Sequence, residues 1–375
     1  MTSRERLLGA LRREPVDRVP IWAWGIHPWL GTVHPTIQPV VEAYLDRADL
    51  MHWWSPGSGT FLSASEQVTV RVEDRDCELP DYRERVLVYS TPAGELTEVH
   101  YVSARGRPGY CKKHLLGSEA DVEALLSVPY VPVQPDCSGF REVDRELGER
   151  GLPIVSLGSD PMYLLNNLTG SELFAVWSIE KRGLIGELIA EFLRREKAWV
   201  EWLLAQGVGP LFGYVGPELC IPPLQSPRDF EEWVVGPDRE INDLIRRGGG
   251  LSLVHCHGRM GPVLEGFVRM HADALHPIEP PPMGDVTLAE AKARVGADLC
   301  IVGNVQEHDL LTMPTSQFRA LVRETVRVGT AGGGFILSPT ATPFGWPELS
   351  DLGSANWLAL LEVGSGAGEC GGAVR

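Results

Sequence analysis

The segment Leu251-Ser-Leu-Val-His255-Cys256-His257-Gly258 is an apolar run that ends in two histidines and a glycine. A short apolar run of this kind predicts a buried β-strand. Side chains alternate along a strand, so His255 and His257 share a face if the strand persists to His257. Gly258 then allows the backbone to turn away. Two imidazoles at the end of a strand are compatible with a transition-metal site, or with a hydrogen-bonded pair that lines a cleft.

From about Pro153 onward, similar apolar runs alternate with helical patterns. The predicted strands are 154–157, 210–215, 251–255, 274–278, 299–302 and 334–337. The predicted helices are 183–204, 228–247, 263–271, 288–295, 316–328 and 349–361. This alternation is typical of a parallel sheet with helices packed on it. With room for two more units upstream, it predicts an α/β fold, a single (β/α)8 TIM barrel over residues 1–363.

The first third of the chain has a different pattern. Polar and apolar residues alternate over 66–72, 85–90 and 94–102, which predicts an antiparallel meander inserted in the barrel at about 64–104. The segment 19–27 would be the first barrel strand. Residues 364–375 are rich in glycine and are expected to form a flexible tail.

Composition limits the class of protein. The net charge is −16, which disfavours nucleic acid or an anionic membrane as the main partner but says nothing about the substrate. The seven cysteines are widely spread and form no CxxC pair, which indicates a reducing, cytoplasmic location. No apolar stretch approaches the ~20 residues of a membrane span. The oligomeric state stays open, with a homodimer as one alternative.

Polar residues follow six consecutive predicted strands, where the chemistry of a barrel enzyme takes place. These candidates are Asp160, Glu218, His255 and His257, His276 and Glu279, Asn304 and Gln306, and Thr340, together with the apolar Met162 close to Asp160. The first predicted strand adds Trp22, Trp24 and His27. Any single one of these residues is more often a cap or turn residue than a functional one. Their concentration at one end of the sheet is therefore the stronger indication.

These candidates divide into three roles. His255 and His257 would hold a divalent metal, and Glu218, His276 and Glu279 are the candidates to complete the site, because catalytic zinc typically takes three protein ligands and a water. Of these three, Glu279 is the predicted third ligand. Glu218, His276 and Asn304 are the predicted catalytic residues. The predicted substrate-binding residues are Trp22, Trp24, His27, Asp160, Met162, Gln306 and Thr340. The two tryptophans would form an apolar wall, or else pack in the floor of the barrel.

The stretch from Arg4 to Pro20, Arg-Glu-Arg-Leu-Leu-Gly-Ala-Leu-Arg-Arg-Glu-Pro-Val-Asp-Arg-Val-Pro, resembles the N-terminal signature of the uroporphyrinogen decarboxylase (URO-D)-like superfamily. Gly216-Pro-Glu218, the segment around His255, and Gly303-Asn-Val-Gln resemble it as well. The resemblance implies a barrel fold. For the reaction it leaves a choice, since the superfamily includes porphyrinogen decarboxylases and zinc-dependent methyltransferases.

Two departures from the superfamily patterns narrow that choice. The decarboxylases hold their substrate carboxylates with an arginine-rich N-terminal motif, whereas 21–29 contains no arginine, which argues against uroporphyrinogen as the substrate. The corrinoid-dependent methyltransferases place zinc on a His-x-Cys pair and a later Cys. His255 matches the first ligand and His257 replaces the second, but 338–342 contains no cysteine. A site of His and carboxylate ligands would be harder than one with thiolates, and it could bind Zn, Fe, Mn or Ni. Zinc is the first candidate.

The resemblance thus implies a metal-dependent group-transfer enzyme, with methyl transfer to a small molecule as the leading reaction. Any corrinoid is expected to arrive on a separate protein or free. The alternatives are a decarboxylase or other lyase of the same superfamily, and a ligand-binding barrel without turnover. A fold alone does not decide among these.

Overall fold

The computed structural model describes residues 1–26, 34–105, 108–341 and 348–366. Its β-strands are β1 Leu50–Trp54, β2 Thr69–Asp76, β3 Tyr82–Thr91, β4 Gly94–Ser103, β5 Tyr110–Lys113, β6 Gly151–Ser159, β7 Leu211–Val215, β8 Leu251–His255, β9 Ala274–His276, β10 Cys300–Val305 and β11 Phe335–Pro339. Its α-helices are α1 Ser3–Leu11, α2 Gln38–Arg47, α3 Glu119–Leu126, α4 Ser138–Leu147, α5 Pro161–Glu180, α6 Arg182–Ala205, α7 Pro227–Phe230, α8 Gly236–Arg247, α9 Leu264–Arg269, α10 Leu288–Val295, α11 Glu307–Thr312, α12 Thr315–Gly329 and α13 Asp351–Gly366. Strands and helices alternate from β6 onward, as the sequence predicts.

Seven of these strands form one curled parallel sheet in the order β1-β6-β7-β8-β9-β10-β11. The order follows the chain, as expected when each helix returns the chain to the next parallel strand. All six strands predicted after residue 153 are present, and β8 has the predicted bounds Leu251–His255. Strand β1 was not predicted, because its sequence Leu-Met-His-Trp-Trp lacks the aliphatic run of the others. Buried aliphatic side chains from the central strands form the core.

The predicted first strand at 19–27 is corrected to a single bridging residue among the residues described. Ile21 pairs with Leu337 of β11, and the Asp49 N–H, just before β1, donates to the Ile21 carbonyl. The backbone of Ile21 therefore joins the first and last strands of the sheet. The α/β fold with a curled parallel sheet is confirmed, whereas the full eight-stranded barrel is not.

Strands β2 to β5 form a separate antiparallel sheet in chain order. Three of them lie where the meander was predicted. The fourth, β5, extends the sheet beyond the predicted boundary at 104. Seven of the eight residues of β2 are exposed, so this strand adds little to the core.

An ion-pair network holds the N-terminal segment on the curled sheet. Asp49 is fully buried and accepts from Arg6 at 2.6 Å and from Arg18 at 2.7 Å. Its second role is to accept the Ile21 N–H at 3.0 Å. Arg6 also contacts Asp17 at 2.6 Å. The polar residues of the N-terminal signature thus position the segment that contains Ile21.

The remaining predictions concern helices, cysteines and the C-terminal end. The predicted helix 228–247 is divided into α7, a π-helical turn over 231–235, and α8. Helix α13 continues to Gly366, so the first three residues of the predicted tail are helical and 367–375 lie outside the described residues. The six cysteines in the described ranges are free. No helix in these ranges is long and apolar enough to cross a membrane.

Candidate functional site

The ends of β8 and β9 bring His255 and His276 side by side, because these residues are paired in register. Their Nδ1 atoms lie 2.8 Å apart. The Nε2 atom of His276 lies 3.1 Å from the carbonyl oxygen of Pro339, the last residue of β11. Burial outweighs this contact and lowers the pKa of His276 to about 3. Burial, together with the neighbouring His276, also lowers the pKa of His255 well below its ordinary value, so both rings are neutral at neutral pH.

The indole of Trp24 lies flat against both imidazoles. Its ring is 4.7 Å from that of His255 with an interplanar angle of 13°, and 4.3 Å from that of His276 at 11°. The edges of Trp22 and Trp53 contact the other parts of the indole. One face of Trp24 is therefore occupied by protein, and Trp22 is buried beneath it. Trp22 and Trp24 were predicted either to form an apolar wall for the substrate or to pack inside the barrel. Trp22 packs inside the protein.

His257 lies beyond the end of β8, so the strand does not persist through both histidines. Its ring meets that of His255 edge to face, at 4.5 Å and 80°. Its Nδ1 is 3.5 Å from Oε2 of Glu279, which also accepts the Gly258 N–H at 2.8 Å. Gly258 has φ 91°, the left-handed conformation that directs its N–H to this carboxylate. The predicted glycine turn is confirmed.

The Glu279 carboxylate is held by a network across the neighbouring strand ends. The Thr340 hydroxyl donates to Oε1 of Gln306 at 3.3 Å, and the Gln306 side chain in turn hydrogen-bonds Glu279. Burial raises the pKa of Glu279, but the hydrogen bonds from His257, Gly258 and Gln306 outweigh it, so the net shift is downward. Glu279 is therefore a stably ionised carboxylate beside His257.

Two other carboxyls behave in the opposite way. Oε2 of Glu218 is buried and has no hydrogen-bond partner among the described residues, and burial raises the pKa of this carboxyl. Asp160 begins α5 by accepting the Tyr163 N–H at 2.6 Å, while its other oxygen has no partner in the same ranges. Burial, reinforced by Glu218, raises the pKa of Asp160 to about 8. Asp160 can therefore carry a proton near neutral pH, and the pKa of Glu218 is shifted in the same direction.

The structure does not bring every predicted residue to this group. Met162 is fully buried, which corrects its predicted contact with substrate to a role in the core. Asn304 lines a cavity of about 230 Å³, together with Gln306 of the Glu279 network and residues of α10 and α12. His27 lies outside the described residues.

Two residues near the site were missed from the sequence. Trp53 lies on the unpredicted strand β1 and contacts Trp24. Glu307 follows Gln306 directly; it interacts electrostatically with His257, and burial raises its pKa. Its place after a strand end was a signal that could have identified it.

A cavity of about 430 Å³ lies at the opposite end of the sheet, between α1 and the turn that contains Gly332, Gly333 and Gly334. It adjoins Phe335, the first residue of β11, and so lies at the amino ends of the strands. In barrel folds, the chemistry takes place at the carboxyl ends of the strands. The histidine group is therefore the candidate functional site.

The predicted metal ligands are only partly assembled. Tetrahedral zinc with bonds of ~2.0–2.1 Å separates its ligand atoms by roughly 3.3 Å, and the His257 to Glu279 distance of 3.5 Å is close to this value. Within the described ranges, however, no group of three or more His, Cys, Asp or Glu side chains is arranged to hold a metal ion. His255, His257 and Glu279 thus do not fit a metal as a preformed three-ligand site.

Comparisons with known proteins identify the family. The family described as uroporphyrinogen decarboxylase (URO-D) matches residues 98–342. A structure named methyltransferase from Methanosarcina mazei is similar over 97% of this chain and 98% of its own, with a TM-score of 0.63 and 16% identity, which shows a shared fold. A 3-keto-D-glucoside 4-epimerase from E. coli covers 58% of this chain and 92% of its own at 17% identity; its TM-score of 0.32 is too low to support an argument. No curated protein matches the sequence significantly.

Proposed function

Because the chain belongs to the uroporphyrinogen decarboxylase (URO-D) family, we propose that it is an enzyme that transfers a methyl group to a small molecule. The observation that carries the proposal is the association of the neutral His255–His276 pair with carboxyls of raised pKa at one end of the sheet. The name of the Methanosarcina structure with the same fold agrees with this reaction.

In this reaction the acceptor atom attacks the methyl carbon while the bond from that carbon to the donor breaks. A protonated acceptor must lose its proton as it attacks. Glu218 is suited to take this proton, because a raised pKa makes its carboxylate a stronger base than an exposed one. His255 stays neutral and offers a ring nitrogen that orients the acceptor. Trp24 covers the histidine pair and helps to exclude water from it.

Metal dependence is a separate part of the proposal. His255, His257 and Glu279 are the side chains that would hold a divalent ion, with zinc as the first candidate. When bound, such an ion lowers the pKa of an acceptor atom. These side chains are not preassembled as a metal site. The proposed transfer of a proton from the acceptor to Glu218 therefore includes no step that requires the ion. A separate corrinoid protein as methyl donor and a homodimeric assembly likewise stay predictions.

The proposal is tested with purified protein, methylcobalamin and a panel of small thiols and amines, with and without added Zn²⁺. Loss of the methyl–cobalt absorbance reports transfer, and elemental analysis of protein purified without chelators reports bound metal. We expect acceptor-dependent transfer, and we expect His255→Ala to remove both the transfer and any bound metal. A folded protein that transfers no methyl group to any acceptor would contradict methyl transfer. Metal-free protein that Zn²⁺ does not activate would contradict metal dependence.

Decarboxylation of a small acid is the second candidate. It is favoured by Asp160, since a carboxyl with a pKa of about 8 stays protonated near neutral pH and can donate to the carbanion that loss of CO₂ leaves. The pKa of Glu218 is raised in the same direction. Release of CO₂ from small carboxylic acids, without methyl transfer, would identify this reaction.

A further inference from the structure

We propose that His276 is a positioning residue that fixes the tautomer of His255, so that Nε2 of His255 is an unprotonated nitrogen available to a ligand. This inference rests on the proposed function in one respect: it defines the atom that an acceptor or a metal would meet. It is carried by the two hydrogen bonds of His276, which run from β8 through β9 to β11.

The first step starts at Pro339. A carbonyl oxygen only accepts hydrogen bonds, so Nε2 of His276, at 3.1 Å from it, must carry a hydrogen. Pro339 is the last residue of β11, and its carbonyl is fixed by the sheet. The protonated nitrogen of His276 is therefore set by backbone geometry.

The second step concerns the other nitrogen of His276. A hydrogen on Nδ1 as well would make the ring an imidazolium, and this ring is 0% exposed. Among the described residues, no carboxylate contacts this ring. A buried cation without an ionic partner is strongly disfavoured. Nδ1 of His276 is thus a bare nitrogen that can only accept.

The third step transfers this constraint to His255. The two Nδ1 atoms are 2.8 Å apart, a hydrogen-bond distance that requires one hydrogen between them. Since Nδ1 of His276 accepts, Nδ1 of His255 donates. A neutral imidazole carries one N–H, so Nε2 of His255 has a free electron pair. Among the described residues, this nitrogen has no hydrogen-bond partner.

Trp24 makes the arrangement rigid. The two imidazoles are inclined by 22° to each other, and the indole lies within 13° of both. A ring flip of His255 would break the hydrogen bond to His276 and leave a buried polar atom unpaired. A hydrogen bond from the second ring nitrogen is the usual way in which proteins orient a histidine that binds a ligand or a metal.

The test is the tautomer of His255 in the folded wild-type protein, read from long-range ¹H–¹⁵N NMR correlations of the ring. We expect the form with hydrogen on Nδ1 in excess by about tenfold or more, since an unpaired buried polar atom is costly. A His255 that carries its hydrogen on Nε2 overturns the inference. This measurement needs no substrate, so it can fail while methyl transfer holds, and methyl transfer can fail while it holds.

Two variants extend the test. His276→Phe keeps an aromatic ring against Trp24 but removes the acceptor, and we expect the Nδ1–H form of His255 to lose its excess. His257→Ala is the control, because it alters a ring that touches His255 while leaving the His276 contact in place. If His257→Ala shifts the tautomer as much as His276→Phe does, general disturbance of the site is responsible and the inference is wrong. Should His276→Phe not fold, the wild-type spectrum still decides.

Discussion

Glu218 and Glu279 are carboxyls in one site that differ in hydrogen bonding. Glu279 accepts from a backbone N–H and two side chains, and these bonds hold its pKa below the ordinary value in spite of burial. Oε2 of Glu218 has no partner among the described residues, and burial raises the pKa. Environments that move two carboxyl pKa values apart are a frequent basis for acid–base chemistry. Glu218 is the residue to change first.

We predict that Glu218→Gln retains the fold and lowers the rate of methyl transfer by about 10²–10⁴-fold, the usual contribution of a positioned acid or base. The amide preserves size and removes the proton-carrying group. Its melting temperature at pH 8 should equal or exceed that of wild type, because the buried charge is gone. Glu187→Gln, an exposed change on α6, is the control. A Glu218→Gln protein with the wild-type rate would exclude the proposed role.

The positions of the polar residues at the strand ends could be predicted from the sequence. The contacts that each of these residues makes could be predicted only in part. His255 and Glu279 could be placed because each follows an apolar run. The His276 contact with Pro339 could not, since it depends on strand order and register in three dimensions. The predicted contact of Met162 with substrate was based on its position after a strand, and its side chain is fully buried. Position after a strand does not show whether a side chain faces the cleft or the core.

At the level of elements, the sheet is joined between its first and last strands by one residue, Ile21, instead of a regular strand. The position of Ile21 depends on Asp49, whose carboxylate accepts its N–H and whose own N–H donates to its carbonyl. The charge of that buried carboxylate is balanced by Arg6 and Arg18. We infer that the ion pairs stabilise the join between the two edges.

We predict that Asp49→Asn lowers the free energy of unfolding by about 3–5 kcal/mol, as is usual when one partner of a buried ion pair is removed. Arg6 would then keep a buried charge with only Asp17 as its acidic partner. Denaturant unfolding measures the change. The control is Asp144→Asn, which breaks the more exposed pair with Arg4 and should cost about 1 kcal/mol or less. Equal losses in both variants would show that Asp49 has no special role.

Element prediction succeeded where burial imposes a simple pattern. Strand β8 has the predicted bounds because a strand covered on both faces is almost continuously apolar. Strand β1 was missed because its second half carries His52, Trp53 and Trp54, which are only partly buried. The segment 19–27 was predicted as a full strand, whereas only Ile21 forms a β-bridge. An apolar run does not show how many of its residues pair with a neighbouring strand.

At the scale of the whole molecule, membership of the family does not determine the substrate. The family match covers 98–342 and therefore excludes the N-terminal segment, where the decarboxylases are expected to carry their arginines. In this chain 21–29 has none. A substrate with many carboxylates requires cationic partners in its site.

We therefore predict negligible decarboxylation of uroporphyrinogen by the purified protein. Porphyrin products are separated by chromatography after oxidation, with an authentic uroporphyrinogen decarboxylase as the positive control. Conversion to coproporphyrinogen at a comparable rate would show that other cations replace the missing arginines.

The interior carries three buried acidic groups, of which Asp160 belongs to the candidate site. Asp160, Glu196 and Asp238 are almost completely buried, and each has at least one oxygen without a partner among the described residues. Burial raises the pKa of Asp160 to about 8 and those of Glu196 and Asp238 well above their ordinary values. The charge of Asp160 adds to the upward shifts of the pKa values of Glu196 and Asp238. The folded protein therefore retains protons that the unfolded chain has released at neutral pH.

This difference predicts that stability falls as pH rises. An acid whose pKa is raised by folding contributes fully below its unfolded pKa, near 4, and loses that contribution as pH approaches the folded value, near 8 for Asp160. Each retained proton changes the free energy of unfolding by up to about 1.4 kcal/mol per pH unit. We expect the melting temperature to decrease from pH 5 to pH 8, and Glu196→Gln, which removes one buried acid, to reduce that decrease and raise the melting temperature at pH 8. Glu187→Gln on the exposed face of the same helix should leave the profile unchanged. A melting temperature that rises over this range in wild type and Glu196→Gln alike would mean that these carboxyls are ionised in the folded protein.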